Sequence, residues 1–179
     1  MIGLLTNSLG KWKLANLVKK VDRKPVAMNL DHMESALVVF HINTAEEYKV
    51  VTDFCFYLKR NEGLNRVDIM AFCGAKEIPE FVDQNKVKVF GPKECNIYGI
   101  PEGSYLNPNK SYDLLVDFTP VSFVPTDAIL ALTEAKTKVG YHQDEKEYIF
   151  DLIIDVADNQ LHLDYSKNII RYLKMINKV

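Results

Sequence analysis

The sequence predicts an α/β fold built on a mostly parallel sheet of about six strands, and three observations favour it. Residues 112–142 contain an apolar strand, a loop with two prolines, an apolar helix and a second strand. Residues 36–73 show the same strand, helix and strand order. Such βαβ units impose right-handed crossovers and parallel strand pairs. A long connection over residues 93–110 then falls where a doubly wound sheet returns to its centre.

The composition is typical of one ordinary globular domain. The chain has 179 residues, which is enough for a sizeable core, and 47% of them are hydrophobic and 26% charged. The formal net charge of −2 gives no general attraction to nucleic acid or to an anionic membrane. We therefore expect a single domain over residues 1–179, no membrane association, and no nucleic-acid partner.

The cysteines and the first residues indicate a cytoplasmic protein. Cys55, Cys73 and Cys95 are widely spaced and form no CxxC pair, which favours neither a disulfide framework nor a zinc site. The first residues have no basic segment ahead of a long apolar run, so they do not resemble a secretory signal. No run approaches the roughly 20 apolar residues that span a bilayer. We also expect no cofactor.

Residues 6–23 predict an amphipathic helix, with Thr6, Asn7 or Ser8 as its cap and Pro25 ending it. We expect this N-terminal segment, residues 1–24, to pack on the domain. The apolar stripe of the helix comprises Trp12, Leu14, Leu17, Val18 and Val21. The opposite face is basic, which is typical of a solvated face and also fits a phosphate or lipid contact.

The remaining elements follow from their apolar patterns. Runs rich in β-branched and aromatic residues predict strands at residues 36–42, 66–73, 87–90, 112–118 and from residue 138 onward. Helical patterns occupy residues 43–61, 77–84, 128–132 and the C-terminal segment. Asn43 or Thr44 is placed to cap the first of these helices, and Asp164 or Ser166 the last, after a turn at Asp158 and Asn159.

The last strand is predicted at residues 148–156. Only about five residues separate it from the strand before, which favours a hairpin, so we expect it to be antiparallel and to lie at a sheet edge. The elements together predict a three-layer, Rossmann-like doubly wound sheet with helices on both faces. We expect the strand order 3-2-1-4-5-6.

Residues 112–142 carry a likeness to known families. The strand YDLLVDF, the helix rich in small residues and the segment AKTKVGYH resemble the matching elements of the N-terminal Rossmann-like domain of heptosyltransferase-type glycosyltransferases. That likeness covers about a sixth of the chain. The chain as a whole is long enough for one of the two Rossmann halves of those enzymes. The whole chain, including its small size and the C-terminal pair Tyr172 and Leu173, resembles a bacterial family of domains of unknown function.

A ligand of a doubly wound sheet binds beyond the carboxyl ends of its central strands, at the switch point where the strand order reverses. The residues expected there are His41, Asn43, Thr44, Asp117, Thr119, Ser122 and Thr126. Asn43 and Thr44 would either offer a helix N-terminus to an anion or act only as caps. Asp117 interrupts an apolar strand, where it would act as a base, hold a ribose hydroxyl or a metal, or bond the following loop.

Known catalytic motifs are missing from the sequence. It contains no GxGxxG, P-loop or GxSxG motif, and the four histidines lack metal-ligand spacing. One carboxylate is not a mechanism, so the sequence leaves open whether the protein is an enzyme. We expect a non-catalytic module that acts through protein association, as a homo-oligomer or with another protein. The alternative is binding of a phosphorylated or nucleotide-type small molecule at the switch point, in a reduced relative of nucleotide-sugar glycosyltransferases.

Overall fold

The computed structural model describes residues 2–19, 21, 23–106, 110–156 and 161–176. The strands in chain order are β1 (Ser35–His41), β2 (Arg66–Phe72), β3 (Lys88–Phe90), β4 (Ser111–Asp117), β5 (Glu134–Tyr141) and β6 (Leu152–Ile154). The helices over the same residues are α1 (Ile2–Val18), α2 (Ala45–Arg60), α3 (Val124–Leu132) and α4 (Leu161–Met175). The strands form one sheet in the order β3-β2-β1-β4-β5-β6, which confirms the predicted fold class and strand order.

The central strand β1 separates two apolar cores, because successive residues of a strand point to opposite faces. Ala36, Val38 and Phe40 lie in the core that α2 and α4 cover. Leu37 and Val39 lie in the core that α1 and α3 cover. All five are at most 1% exposed. Burial on both faces explains why this run is continuously apolar, as is typical of parallel sheets.

The last strand is parallel to its neighbour, so the predicted antiparallel hairpin is wrong. β6 pairs with β5 only over residues 139–141 and 152–154. The chain therefore needs to run back by only about 10 Å, at about 3.3 Å per strand residue, and the connection over residues 142–151 is long enough. Residues 148 and 149, which were predicted as strand, belong to a 3-10 turn, Glu147–Ile149, within this connection. β6 does lie at the sheet edge, as predicted.

The segment before β3 also differs from the prediction, since residues 77–84 contain no helix. Two separate turns occupy this region. The Val82 N–H donates to the Pro79 carbonyl, and the Lys86 and Val87 N–H groups donate to the Asp83 carbonyl, each at 3.0 Å. Forming the first turn of a helix costs free energy, which is recovered only when further helical hydrogen bonds follow it. The two short turns in this region are not followed by such bonds.

Several boundaries shift for local reasons. α3 begins at Val124 rather than residue 128, because Pro125 suits the first helical turn. β5 begins at Glu134, ahead of the predicted residue 138. α4 begins at Leu161, so neither Asp164 nor Ser166 caps it. The predicted turn at residues 158 and 159 lies outside the described residues.

α1 packs on the α3 side of the sheet with most of its predicted stripe, since Leu14 is buried there and Leu17 and Val18 pack against the same core. It spans Ile2–Val18 and ends earlier than expected. Leu14 is 2% exposed in the core, whereas Trp12 is 63% exposed, which contradicts its predicted place in the buried stripe. Gly10 permits the close approach, because a side chain there would overlap the Tyr98 carbonyl oxygen. Within the described residues, no helix is both long enough and apolar enough to cross a membrane.

Gly140 of β5 offers a test of the packing at the β5 and β6 edge. A Cβ at this position would overlap the ring of Phe150, so we expect Gly140→Ala to lower the free energy of unfolding by about 1–3 kcal/mol. Urea unfolding measures this change. Gly74→Ala is the matched control, because its Cβ would lie 3.5 Å from the nearest atom, on Phe72, which is an ordinary contact.

Phe150→Leu in the Gly140→Ala background should restore part of the lost stability, because the smaller side chain gives the new methyl group room. An unchanged unfolding midpoint for Gly140→Ala would contradict the described packing.

Candidate functional site

The switch point of the sheet lies between β1 and β4, which are parallel neighbours. β4 ends at Asp117, whose carboxylate is fully buried. The loop that follows bonds this group, since the Thr119 N–H donates to Asp117 Oδ1 at 2.7 Å. The sequence predicted both residues at this position. Because Asp117 is paired in register with Val39 of β1, its side chain points to the α3 face of the sheet.

Lys146 supplies the counter-charge of Asp117. Its side chain is 1% exposed, and its Nζ donates to Asp117 Oδ2 at 2.5 Å and to the Thr119 carbonyl at 2.8 Å. The same Nζ lies 3.8 Å from Asp127 Oδ1. Lys146 follows β5, the neighbour of β4, so the strand order brings the ammonium to the end of β4. We call Lys146, Asp117, Thr119, Ser122 and Asp127 the Lys146 cluster.

Asp127 adds a second buried carboxylate from the first turn of α3. Ser122 Oγ donates to Asp127 Oδ2 at 2.7 Å. Asp127 Oδ1 and Thr119 Oγ1 are buried without a hydrogen-bond partner in the described part of the chain. Burial raises the pKa of Asp127 to about 6, although the Lys146 charge opposes the shift. The helix N-terminus also favours a negative charge at this position.

The pKa of Asp117 is likewise raised by burial, and the Lys146 ammonium and the Thr119 hydrogen bonds oppose that shift. The Asp117 carboxylate and the Lys146 ammonium form a direct ion pair. Neither group is exposed to solvent, so neither can exchange a proton with a bound substrate without a rearrangement of the cluster.

His41 lies at the end of β1, beside the Lys146 cluster. Its Nε2 is 3.4 Å from Thr126 Oγ1, and its ring contacts the Phe72 and Phe123 rings at centroid distances of 5.4 and 4.9 Å. Burial and, to a smaller extent, the Lys146 charge together lower the pKa of His41 to about 4, so the imidazole is neutral at pH 7. The Thr126 hydroxyl also donates to the Phe123 carbonyl at 3.0 Å.

Two of the predicted site residues lie apart from this cluster. Thr44 is exposed and acts as the cap of α2, because its Oγ1 accepts a hydrogen bond from the Glu47 N–H at 3.1 Å. Asn43 is exposed in the same loop. The structure therefore brings Asp117, Thr119, Ser122 and Thr126 together near His41, and it places Asn43 and Thr44 at the surface start of α2.

The sequence did not single out Lys146 or Asp127. Lys146 stands in QDEKE, between acidic residues, and this pattern is typical of a solvated turn. The sequence feature that could have indicated a buried lysine was Asp117, because a carboxylate inside an apolar strand requires a nearby cation. Asp127 is a single polar residue at the start of an apolar helix, where capping alone would account for it.

The surface of the turn that carries Lys146 holds a possible set of metal ligands. His142, Asp144 and Glu147 bring their ligand atoms within 4.8 Å of one another, and no other such group occurs among the described residues. His142 Nδ1 lies 2.9 Å from Glu147 Oε1. These side chains are exposed and on the outside of the turn, so they do not extend the buried cluster.

Comparison with known proteins gives a family. The profile of a family of unknown function, DUF6913, matches residues 7–176. A search of curated proteins finds no match to this chain. The match confirms the predicted resemblance to a family of unknown function. The bacterial origin and the resemblance to heptosyltransferase-type glycosyltransferases stay predictions.

Removal of the buried ammonium tests the Lys146 cluster. We expect Lys146→Met to lower the free energy of unfolding by about 3–5 kcal/mol, because it leaves Asp117 as a buried charge without a cation. The double variant Lys146→Met, Asp117→Asn should recover most of this loss. Lys76→Met, at an exposed lysine, is the control. A loss below about 1 kcal/mol for Lys146→Met would contradict the ion pair.

The pH dependence of stability tests Asp127. Its folded pKa of about 6 exceeds the unfolded value near 3.9, so the folded state holds the proton more tightly and loses stability as the pH rises through this window. Asp127→Asn removes this titration. The stability of the variant relative to the wild type should therefore rise by on the order of 2 kcal/mol between pH 4 and pH 7. Urea unfolding at each pH measures it, with the exposed Asp155→Asn as control; a flat difference would contradict the burial of an ionising Asp127.

Proposed function

The chain belongs to the DUF6913 family of unknown function, and we propose that it acts without catalysis, through association with other protein molecules. One observation carries this proposal. The carboxylate at the switch point is held by the chain's own Lys146, and both groups are buried. A doubly wound enzyme would use this position for its ligand or its reacting groups. In this protein the same position serves to join two loops.

The surface around the closed switch point supports association. Ile97, Val121 and Tyr148 are 82%, 68% and 58% exposed, which is high for large apolar side chains. They lie in the segments that follow β3, β4 and β5, which leave the parallel sheet at its carboxyl end. Exposed apolar groups concentrated at one edge are typical of an interaction surface. We call these three residues the carboxyl-end surface.

α1 lies beside the carboxyl-end surface. Lys11 of α1 forms an ion pair with Glu145, and Gly10 lies against the Tyr98 carbonyl oxygen. Leu9 and Trp12 are 54% and 63% exposed on the outer face of this helix. Residues three positions apart on a helix are neighbours, so this pair adds apolar area close to the same edge.

A second candidate function is binding of a phosphorylated or nucleotide-type small molecule at the switch point. The observation that favours it is the pair of buried atoms without hydrogen-bond partners in the described chain, Asp127 Oδ1 and Thr119 Oγ1. Buried polar atoms usually have partners, and a bound polar molecule would provide them. This candidate includes the reduced relative of nucleotide-sugar glycosyltransferases that the sequence resemblance implies.

Sedimentation equilibrium tests association through the carboxyl-end surface. The wild-type mass should rise above the 20.5 kDa monomer with concentration, and Val121→Asp with Tyr148→Asp should hold it at the monomer value, because buried carboxylates oppose an apolar contact. Met175→Asp is the matched control, since Met175 is 64% exposed on α4, away from this edge. A wild-type mass that stays at the monomer value would exclude self-association.

A thermal-shift panel of nucleotides, nucleotide-sugars and sugar phosphates separates the two candidates. We expect no change in Tm under the association proposal. A rise of several degrees with one compound, lost in Thr119→Val but kept in Thr133→Val, would instead support the small-molecule site, because a ligand that binds only the folded state raises Tm by mass action.

A further inference from the structure

The strand β2 has an incomplete ladder on its outer side. It pairs with β1 along its whole length, from Arg66 to Phe72. It pairs with β3 only over residues 70–72. Within the described part of the chain, residues 66–69 therefore have no strand partner on the outer side. An open stretch of sheet edge is a template for pairing with another chain.

The alternation of a parallel strand identifies the open backbone groups. The Arg66 N–H donates to the Glu34 carbonyl, on the β1 side. The Cys73 N–H donates to the Phe90 carbonyl, on the β3 side. Odd-numbered residues of β2 therefore point their backbone groups outward. The Val67 N–H, the Val67 carbonyl and the Ile69 N–H are left without ladder partners.

A turn in the chain keeps this edge open. The Lys86 and Val87 N–H groups both donate to the Asp83 carbonyl at 3.0 Å, and the Asn85 N–H donates to Asp83 Oδ1 at 3.1 Å. Residues up to Val87 form this turn, and the chain pairs with β2 only from Lys88 onward. Residues 83–87 therefore do not extend β3 along the first half of β2.

The opposite edge of the sheet is closed by the chain itself. β6 is as short as β3, and it pairs with β5 only over residues 139–141. Other segments bond the half of β5 that β6 does not pair with. The Val26 N–H donates to the Lys136 carbonyl at 3.0 Å, and Arg23 Nε donates to the Ala135 carbonyl at 2.8 Å. Among the described residues no segment bonds the outward backbone groups of residues 66–69 in this way, and Val67, which is 6% exposed, lies at the wall of the adjoining cavity.

A cavity of about 830 Å³ runs along the open edge of β2. β2 contributes residues 67–70 to its wall, and Phe56 of α2 lies on one side. Tyr105 and Lys88 lie on the other side. Lys88 is in register with Met70 and so shares its face of the sheet, opposite to the α2 face. An added strand would therefore present alternate side chains to Phe56 and to Lys88.

The charges of this cavity favour an acidic occupant. Four lysines line it against two aspartates, namely Lys59, Lys86, Lys88, Lys110, Asp53 and Asp68. Both aspartates are already paired, Asp68 with Lys110 at 2.6 Å and Asp53 with Lys49 at 2.5 Å. Lys86 is also paired, with Asp83 at 2.9 Å, so among the described residues Lys59 and Lys88 are the lining lysines that no carboxylate pairs.

Lys88 is the lysine best placed for a new partner. Among the described residues its Nζ bonds only Ser104, at 2.8 Å to both the carbonyl and the hydroxyl oxygen, and it lies 4.3 Å from the Tyr105 ring centroid. Among the described residues it has no carboxylate partner. Burial and the charge of Lys110 lower the pKa of Lys88, so an added carboxylate would stabilise its ammonium form.

We propose that the open edge of β2 binds an extended segment of a partner protein as an added strand, with acidic residues facing Lys88 and apolar residues facing Phe56. Backbone hydrogen bonds to Val67 and Ile69 give the affinity, and the alternating side-chain contacts give the specificity. About four residues of the segment pair, over about 13 Å. This surface lies away from the carboxyl-end surface and adds a second contact to the proposed association.

The probe is a labelled, capped hexapeptide of alternating glutamate and valine, with binding followed by fluorescence anisotropy at low salt. We expect wild-type protein to bind it and to prefer it over the lysine and valine hexapeptide. Lys88→Glu should weaken binding at least tenfold, because it replaces attraction with repulsion. Lys76→Glu, at an exposed lysine beyond the other end of β2, should leave affinity within twofold. Amide exchange at Val67 and Ile69, read by NMR, should slow when the peptide binds.

A hexapeptide N-methylated at alternate residues keeps its charge but loses the backbone donors of one edge, so the register that removes the donors facing β2 should abolish binding, whereas the other register should retain it. Equal binding of the N-methylated peptides, equal binding by Lys88→Glu, or no binding of the parent peptide up to about 1 mM would overturn strand addition. The variant Val121→Asp, Tyr148→Asp should bind the peptide as the wild type does. Failure of association at the carboxyl-end surface is therefore a separate result from failure at β2.

Discussion

The buried ion pair between Lys146 and Asp117 is the interaction on which the carboxyl end of this sheet depends. A carboxylate at the end of a strand covered on both faces costs several kcal/mol unless a cation and hydrogen bonds compensate it. Lys146 provides that cation, and its bond to the Thr119 carbonyl ties the loop after β4 to the loop after β5. The same contacts leave neither charge available to a ligand. We propose that a position that doubly wound proteins use for binding serves here to hold two loops together.

The two edges of the sheet differ in whether the chain itself completes their hydrogen bonds. The β5 edge is completed by the chain itself, through the segment around Arg23 and Val26. The β2 edge is left open over residues 66–69 beside a cavity with excess lysine. A closed switch point, an open edge beside unpaired lysines and exposed apolar side chains at the carboxyl ends are the observations on which we propose contacts with other proteins. The backbone groups of β2 without ladder partners and the exposed apolar side chains both lie outside the switch point.

The local sequence pattern was enough to predict the buried strands and the start of α2, because both depend on neighbouring residues. Continuous apolar runs in β1 and β4 indicated strands covered on both faces, and Thr44 was correctly placed as a helix cap. The direction of β6 was not predictable from the length of its connection, because the outcome depended on how few residues pair with β5. Lys146 was missed for a similar reason: its neighbours in sequence are charged, and only the strand order brings it to Asp117.

NMR of lysine side-chain ammonium groups tests the closed switch point most directly. A buried, hydrogen-bonded ammonium exchanges its protons slowly, whereas exposed lysines exchange too fast to be seen near neutral pH. Lys138 is also buried, with Nζ bonded to the Leu130 and Ala131 carbonyls, so its signal is assigned with Lys138→Met. We predict a slowly exchanging signal that Lys146→Met removes and that correlates with the Asp117 carboxylate. A Lys146 ammonium that exchanges at the rate of exposed lysines would contradict the account.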